Sequence, residues 1–518
     1  MEQTGQSVPK AVAIPHENLA MAMAYGHTMI SGQPQAVVVH VNVGTANALT
    51  GLFNAQRGNI PMLLAAGRTP LNEQGPKGSR TRFIQWAQEM YDQGSMVREA
   101  AKWDMELSSP GQVGSVVDRA MSIAQAEPAG PVYLSLPREV LAEPLPDIGG
   151  LAAPDAHRAP AKTVPSVAAI SEAAEILTGA INPMIITSTL GRDTEAYKHL
   201  AYFAERFAIP VVSHFPCYAC LPTNHPLHAG YEPAPLLKDA DAILVIDCDV
   251  PWIPNFASPT ADCRVIQAGA DPIFTDYPMR NFPCHLALAG NSHETLMALA
   301  SAMADTLAVD DAGIVARLQR LEAGGKIGLG NATGETSIGQ SWISKCIDDA
   351  KSDDTIVVSE MGLDLNSISF NQPGTYFAPS SSGGLGWGLG AALGAKLAAP
   401  DRLVITVVGD GSYMFGNPTP AHLVANNLGL PVLFIVANNG KWGAVERATR
   451  AMYPDGAAAA SNDMPLTTFG NSPAYEMVAM ASGAYGERVE DPDDLPAALE
   501  RALAAIKEGR QALLNVIC

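Results

Sequence analysis

Residues 16–31, HENLAMAMAYGHTMIS, are helix-forming throughout and stop at Gly32, where Gly-Gln-Pro predicts a turn. A short β-branched run follows at 36–40. GTANALTGLFNAQ (44–56) then reads as a second helix, and PMLLAAG (61–67) as a buried strand. Helix alternating with strand in this way predicts a parallel sheet covered by helices on both faces. The pattern lapses over residues 149–167, where LAAPDAHRAPAKTVP is rich in Pro and Ala and without periodicity, as a linker would be. It then resumes with apolar strand runs at 183–189, 210–215, 242–250 and 263–271. A third unit carries TIVVSE, LVITVVGD, PVLFIVANN and LLNVIC between Gly-rich turns and Ala-rich helices. The predicted fold class is α/β, with three consecutive parallel-sheet domains over residues 1–148, 165–325 and 335–518.

Composition narrows the function. The 518 residues are 47% apolar and 16% charged, enough to build several cores, and the formal charge of −20 argues against a nucleic-acid surface or an anionic-membrane patch. No apolar run approaches the length of a membrane span, and no charged and apolar leader opens the chain. Seven scattered cysteines lack paired metal-ligand spacing, so reduced thiols and a cytoplasmic location are expected. Cys217-x-x-Cys220 is read as structural rather than as a redox or zinc motif.

Two short motifs carry candidate chemistry. Gly409-Asp410-Gly411 ends one strand, and after 26 residues Asn438-Asn439-Gly440 ends another. Both fall at the carboxyl ends of parallel strands, the edge where open α/β sheets bind ligands. The glycines let backbone approach a phosphate, and Asp410 and the Asn439 amide oxygen are hard oxygen donors of the kind Mg²⁺ takes. Mg²⁺ draws the rest of its octahedron from phosphate oxygens and water, so so sparse a donor set implies a diphosphate cofactor. A helix from about Pro418 is expected to aim its amides at the same anion. Singly, each motif is a common turn.

With these motifs the chain resembles the thiamine-diphosphate enzyme family that includes acetolactate synthase and benzoylformate decarboxylase, over nearly its whole length. Residues 14–70 look like a pyrimidine-binding domain, the middle unit like the central domain, and SSSGGLGWGLGAALGAKLA with the two motifs like the diphosphate-binding domain. The resemblance implies Mg²⁺ on Asp410, Asn439 and the Lys441 carbonyl, and diphosphate contacts around Gly409 from the Gly411 and Ser412 amides. It also implies an acceptor for the pyrimidine amino group at the Gly383 carbonyl, and Leu385 as the apolar support that bends the cofactor. Glu17 stands where the family has its essential glutamate, whose carboxyl promotes protonation of the pyrimidine ring and so activates the thiazolium carbon. On its own, a Glu in the first turn of a helix reads first as a surface residue favoured by the dipole.

His40 falls where benzoylformate decarboxylase has an active-site histidine, and would protonate an intermediate or position a substrate carboxylate. His16 and His27 are read as serving helix structure or surface. The resemblance also implies a homodimer or homotetramer with active sites shared between subunits.

Two departures stand out. Only sixteen residues precede Glu17, so the first domain looks shortened on its N-terminal side and short of an inner strand. In addition, DCDVPWIPNF in the middle unit offers no second histidine. The expected activity is thiamine-diphosphate- and Mg²⁺-dependent decarboxylation or carboligation of a small 2-oxoacid or aldehyde. Acetolactate-synthase-like ligation and a cofactor-binding but inactive paralogue are the alternatives. A dinucleotide oxidoreductase is disfavoured by the lack of a strand-linked Gly-x-Gly-x-x-Gly. The sequence leaves open whether FAD or a nucleotide occupies the middle domain.

Overall fold

The computed structural model describes residues 9–144, 159–305, 311–323, 338–461 and 464–518. Three all-parallel sheets follow one another along the chain. The first has the order β1-β2-β4-β3, from Gln35–Val39 (β1), Met62–Arg68 (β2), Asp104–Glu106 (β3) and Pro131–Pro137 (β4). The second has the order β6-β5-β7-β8-β9, from Pro183–Thr187 (β5), Val211–Ser213 (β6), Ala242–Ile246 (β7), Arg264–Gly269 (β8) and Leu286–Ala289 (β9). The third has the order β11-β10-β12-β13-β15-β14, from Ile356–Glu360 (β10), Tyr376–Phe377 (β11), Val404–Gly409 (β12), Leu433–Asn438 (β13), Tyr485–Val489 (β14) and Ala512–Ile517 (β15).

The three-domain α/β architecture expected from the alternation is therefore the observed one. Every strand named from the sequence is present. The strands not named are β3, β9, β11 and β14, which are short or mixed in polarity, and β4, whose bounding prolines disguise it. Proline is tolerated at the start of a strand because no ladder donor is needed there. Residues 149–158 of the expected linker lie outside the described residues, as do the expected domain ends near 325 and 335.

The helix read at 16–31 is α1 (Glu17–Ser31). His16 is its N-cap, with the imidazole accepting from the Asn18 N–H at 3.2 Å, and Gly32, at φ +68°, closes the other end. His27 is half-buried and bonds Ser31 on the next turn. Both histidines thus serve the helix, as expected. The second helix, α2 (Val41–Arg57), leaves the end of β1.

Helix α3 (Trp387–Ala398) belongs to the third domain, yet α1 lies directly on it. Gly26 makes the approach possible, because a Cβ there would stand 2.0 Å from the Ala391 carbonyl oxygen; Gly390 and Gly394 of α3 face Ala22 and Met23 in the same way. The Tyr25 ring meets Trp387 edge-on at 5.4 Å. One apolar cluster consequently runs from Leu19, Met21 and Leu52 through Trp387 and Leu393 to Val408 and Val436, so the first and third domains share a core. The central domain has its own cores around Ile185, Leu244 and Phe203, and around Val245 and Trp252.

Candidate active site

Glu360, Gly409 and Asn438 are the last residues of β10, β12 and β13, so three chemically distinct groups reach the carboxyl edge of the third sheet side by side. Chain order reverses between β10 and β12, which makes this edge a switch point where an open parallel sheet takes a ligand. The chain does not run straight on to the helix expected at Pro418. A six-residue helix, α4 (Asp410–Phe415), intervenes with Gly409 as its N-cap. Gly411 and Ser412 therefore lie in the first turn of α4, where backbone N–H groups lack intrahelical acceptors. The helix Pro418–Leu428 exists, but comes one element later.

The two motifs are joined through Asp410. Its Oδ1 accepts from the Gly411 N–H at 2.8 Å and its Oδ2 from the Gly440 N–H at 2.7 Å. Asp410 is 3% exposed, and its carboxylate has no Lys, Arg or His side-chain partner among the described residues. Burial pushes its pKa up, against the lowering effect of the backbone donors. A buried carboxylate without a cation is a place a metal ion would stabilise.

The neighbouring asparagines have diverged in role. Asn438 is buried and turned to Asn515 and Ser472, whereas Asn439 is exposed with its Oδ1 on the Lys441 N–H. The Lys441 carbonyl accepts from the Gly443 N–H at 2.9 Å, and the Lys441 ammonium is drawn off to Glu446 at 2.6 Å. One carboxylate, one amide oxygen and one carbonyl are hard oxygen donors, chemically of the kind Mg²⁺ takes. No group of three or more His, Cys, Asp and Glu suited to a metal ion occurs among the described residues. The Trp442 ring lies against Gly411, where a Cβ would come within 2.3 Å of it.

Gly383 and Leu385 lie in the loop that leads into α3. Gly383 has φ +70° and nothing within 4 Å of where a Cβ would stand, and Leu385 is half-buried. Glu360 was not anticipated from the sequence. It is buried beneath this loop, accepting from the Gly386 N–H at 2.8 Å and the Gly388 N–H at 2.7 Å. Burial raises its pKa to about 7, opposed by those amides and by the Ser412 hydroxyl. The available signal was an acid closing an apolar strand run.

Glu17 and His40 sit elsewhere, on the first domain. Glu17 opens α1, is half-buried, and accepts from the Asn47 amide at 3.2 Å. His40 caps α2 without a side-chain cap bond and is exposed; Val41 beside it has φ +30°, a strained conformation for a β-branched residue. No described hydrogen bond or ion pair joins Glu17 or His40 to the Asp410 cluster. The structure thus joins Asp410 directly to Gly411 and Gly440 in the third domain, while Glu17 and His40 belong to the first.

Cys217 and Cys220 are buried free thiols whose pKa values burial pushes up to about 12, as befits structural cysteines. Asp249, in the segment without a histidine, bonds Tyr277 at 2.7 Å and Ser381 at 2.9 Å. A cavity of about 680 Å³ opens at the carboxyl edge of the second sheet, lined by Arg192, Asp247, Asp271 and Tyr277 among others, and it includes none of the candidate cofactor residues. No described helix is long and apolar enough to cross a membrane.

Three family models match in chain order. They are the N-terminal TPP binding domain of thiamine pyrophosphate enzymes at residues 2–96, their central domain at 170–299 and their C-terminal TPP binding domain at 360–516. Benzoylformate decarboxylase from Pseudomonas aeruginosa is 28% identical over 508 residues, covering 95% of this chain and 89% of the relative. The acetolactate synthase large subunit IlvG from Mycobacterium tuberculosis is 27% identical over 524 residues, covering 97% and 87%. Among solved structures, the thiamine diphosphate-dependent 4-hydroxybenzoylformate decarboxylase from Rhodococcus jostii RHA1 superposes with a TM-score of 0.79 at 24% identity, over 97% of this chain and 91% of that one.

Proposed function

We propose, from the premise that this chain belongs to the thiamine pyrophosphate enzyme family, that it is a thiamine-diphosphate- and Mg²⁺-dependent decarboxylase or carboligase acting on a small 2-oxoacid or aldehyde. The observation that carries the reading is the Asp410 cluster, a buried carboxylate without a cationic partner, bonded to the Asn-Asn-Gly turn at the switch point of a parallel sheet. In this reading residues 1–148 bind the pyrimidine, 165–325 form the central domain and 335–518 bind the diphosphate.

Asp410, Asn439 and the Lys441 carbonyl would hold Mg²⁺. The Ser412 amide, and the Gly411 amide once released from the Asp410 Oδ1, would face the diphosphate beside Gly409; the Gly383 carbonyl would take the pyrimidine amino group, and Leu385 would support the cofactor. When bound, the cofactor supplies a nucleophilic carbon and an electron sink for cleaving or forming a bond to the 2-oxo carbon. Glu17 would share a proton with the pyrimidine ring. His40 orients the substrate carboxylate or delivers a proton to the product carbon.

No described hydrogen bond or ion pair joins Glu17 to the Asp410 cluster within one chain, and the family resemblance implies an active site made by two subunits. A symmetric dimer or a pair of dimers creates such sites in twos, each joining Glu17 of one copy to Asp410 of another. Mixing inactive Glu17→Gln and Asp410→Ala subunits should then restore up to about a quarter of parental activity on random pairing. No recovery in verified heterodimers would place each site within one chain. The seven free thiols support a cytoplasmic location.

Calorimetric titration with thiamine diphosphate, with Mg²⁺ and with chelator, tests the cofactor assignment. A panel of 2-oxoacids with and without aldehyde acceptors then separates decarboxylation from acetolactate-synthase-like ligation. Cofactor uptake without any turnover would identify an inactive paralogue.

A further inference from the structure

The loop that carries Gly383 and Leu385 is gripped from two directions, and one grip comes from a different domain. Asn54, buried on α2 of the first domain, donates its amide N–H to the Gly384 carbonyl at 2.8 Å and accepts the Gly384 N–H at 3.2 Å. A single side-chain amide therefore pairs with both polar groups of one residue 330 positions away. The Ser382 hydroxyl also donates to the Asn54 amide oxygen, and the Ser380 hydroxyl donates to the Asn54 backbone carbonyl at 2.9 Å. Glycine at 384 is what allows this, since a Cβ there would stand 2.6 Å from the Asn54 Oδ1. On the other side of Leu385, Glu360 holds the Gly386 and Gly388 amides. Leu385 is thus the one residue between the two grips.

We propose that Asn54 is a positioning residue, through which the first domain sets the place of Leu385 and the Gly383 carbonyl in the third domain of the same chain. The inference rests on the thiamine-diphosphate reading for what Leu385 supports, but the grip itself is a property of the protein alone. Asparagine suits the task because it presents a donor and an acceptor side by side, matching the C=O and N–H of Gly384. Aspartate keeps the acceptor and sets a lone pair against the Gly384 carbonyl; alanine removes both bonds.

The test compares the parent protein with Asn54→Ala, and with Asn54→Asp as the variant of matched volume should the alanine form not fold. Amide hydrogen exchange without cofactor should be at least about tenfold faster in the peptide spanning 380–386 and unchanged in β12 and β13. With thiamine diphosphate and Mg²⁺ added, cofactor affinity should change by less than about threefold while exchange of the thiazolium ring hydrogen, followed by NMR, slows about tenfold or more. Parental exchange in both measurements overturns the proposal. So does faster exchange spread through β12, β13 and α3, which marks a merely structural role. If the parent protein takes up no thiamine diphosphate, the cofactor reading falls, and the exchange of peptide 380–386 still decides whether Asn54 grips the loop.

Discussion

The carboxyl edge of the third sheet and that of the first are built on opposite plans. Around Asp410 and Glu360 the carboxylates are buried, bonded to backbone amides of the same chain, and pushed upward in pKa by their surroundings. Around Glu17 and His40 the groups are half-buried or exposed; among the described residues Glu17 has a single amide partner and His40 has no cap bond. β1, which delivers His40, lies at the sheet edge with Val38 74% exposed. The difference separates carboxylates held and buried by their own fold from candidate groups that the single chain leaves facing outward.

If the outward-facing groups serve chemistry rather than folding, Glu17→Gln should slow exchange of the thiazolium hydrogen about a thousandfold while leaving the melting temperature of the cofactor-free protein in place. NMR exchange and calorimetry read the two effects, and exchange as fast as in the parent would remove Glu17 from the mechanism. On the buried side, Asp410→Ala should weaken Mg²⁺-dependent binding of thiamine diphosphate by about a hundredfold or more. Unchanged affinity in titration calorimetry would make the metal assignment wrong.

The third test uses pH. Glu360 has a folded-state pKa raised to about 7 by burial, so its contribution to stability is fully present below the ordinary glutamate range and is lost as pH rises through about 7. Asp410 is shifted in the same direction. The cofactor-free protein should therefore lose roughly 2 kcal/mol between about pH 5 and pH 8 through Glu360, and Glu360→Gln should flatten that slope. A parental slope in the variant, measured by urea unfolding across that range, would break the contrast between the two edges. The smallest effect is expected at His40. His40→Ala should cost about tenfold in kcat with stability within about 0.5 kcal/mol of the parent. A larger loss of stability would mean that the strained turn at Val41 depends on the imidazole.

Much of this was legible in local pattern. The apolar runs that became β5, β7, β10, β12, β13 and β15 are continuous because strands in a parallel sheet are buried on both faces. The helix ends at His16 and Gly32 follow from capping chemistry within a few residues. The pairing of Gly-Asp-Gly with Asn-Asn-Gly was legible for the same reason: each motif ends an apolar run, and adjacent parallel strands bring such ends together. The short helix after Gly409 was not, because six residues carry too little periodicity to distinguish a helical turn from a loop.

What only the tertiary structure decided concerns groups whose partners are remote. Asn54 reads as an ordinary helical residue until Gly384 is folded against it, and Glu360 as the end of a strand until the loop before α3 lies over it. The glycines at 26, 384, 390 and 394 look like weak points in a helix or a flexible turn, yet each admits a neighbouring element too close for a side chain. Sequence by itself determined the three sheets, the Gly-Asp-Gly and Asn-Asn-Gly pair and the family resemblance, since these depend on periodicity and short spacings. The tertiary structure decided which carboxylates are buried and which domain holds which loop, because burial and hydrogen bonding across hundreds of residues are properties of packing, which no local interval encodes.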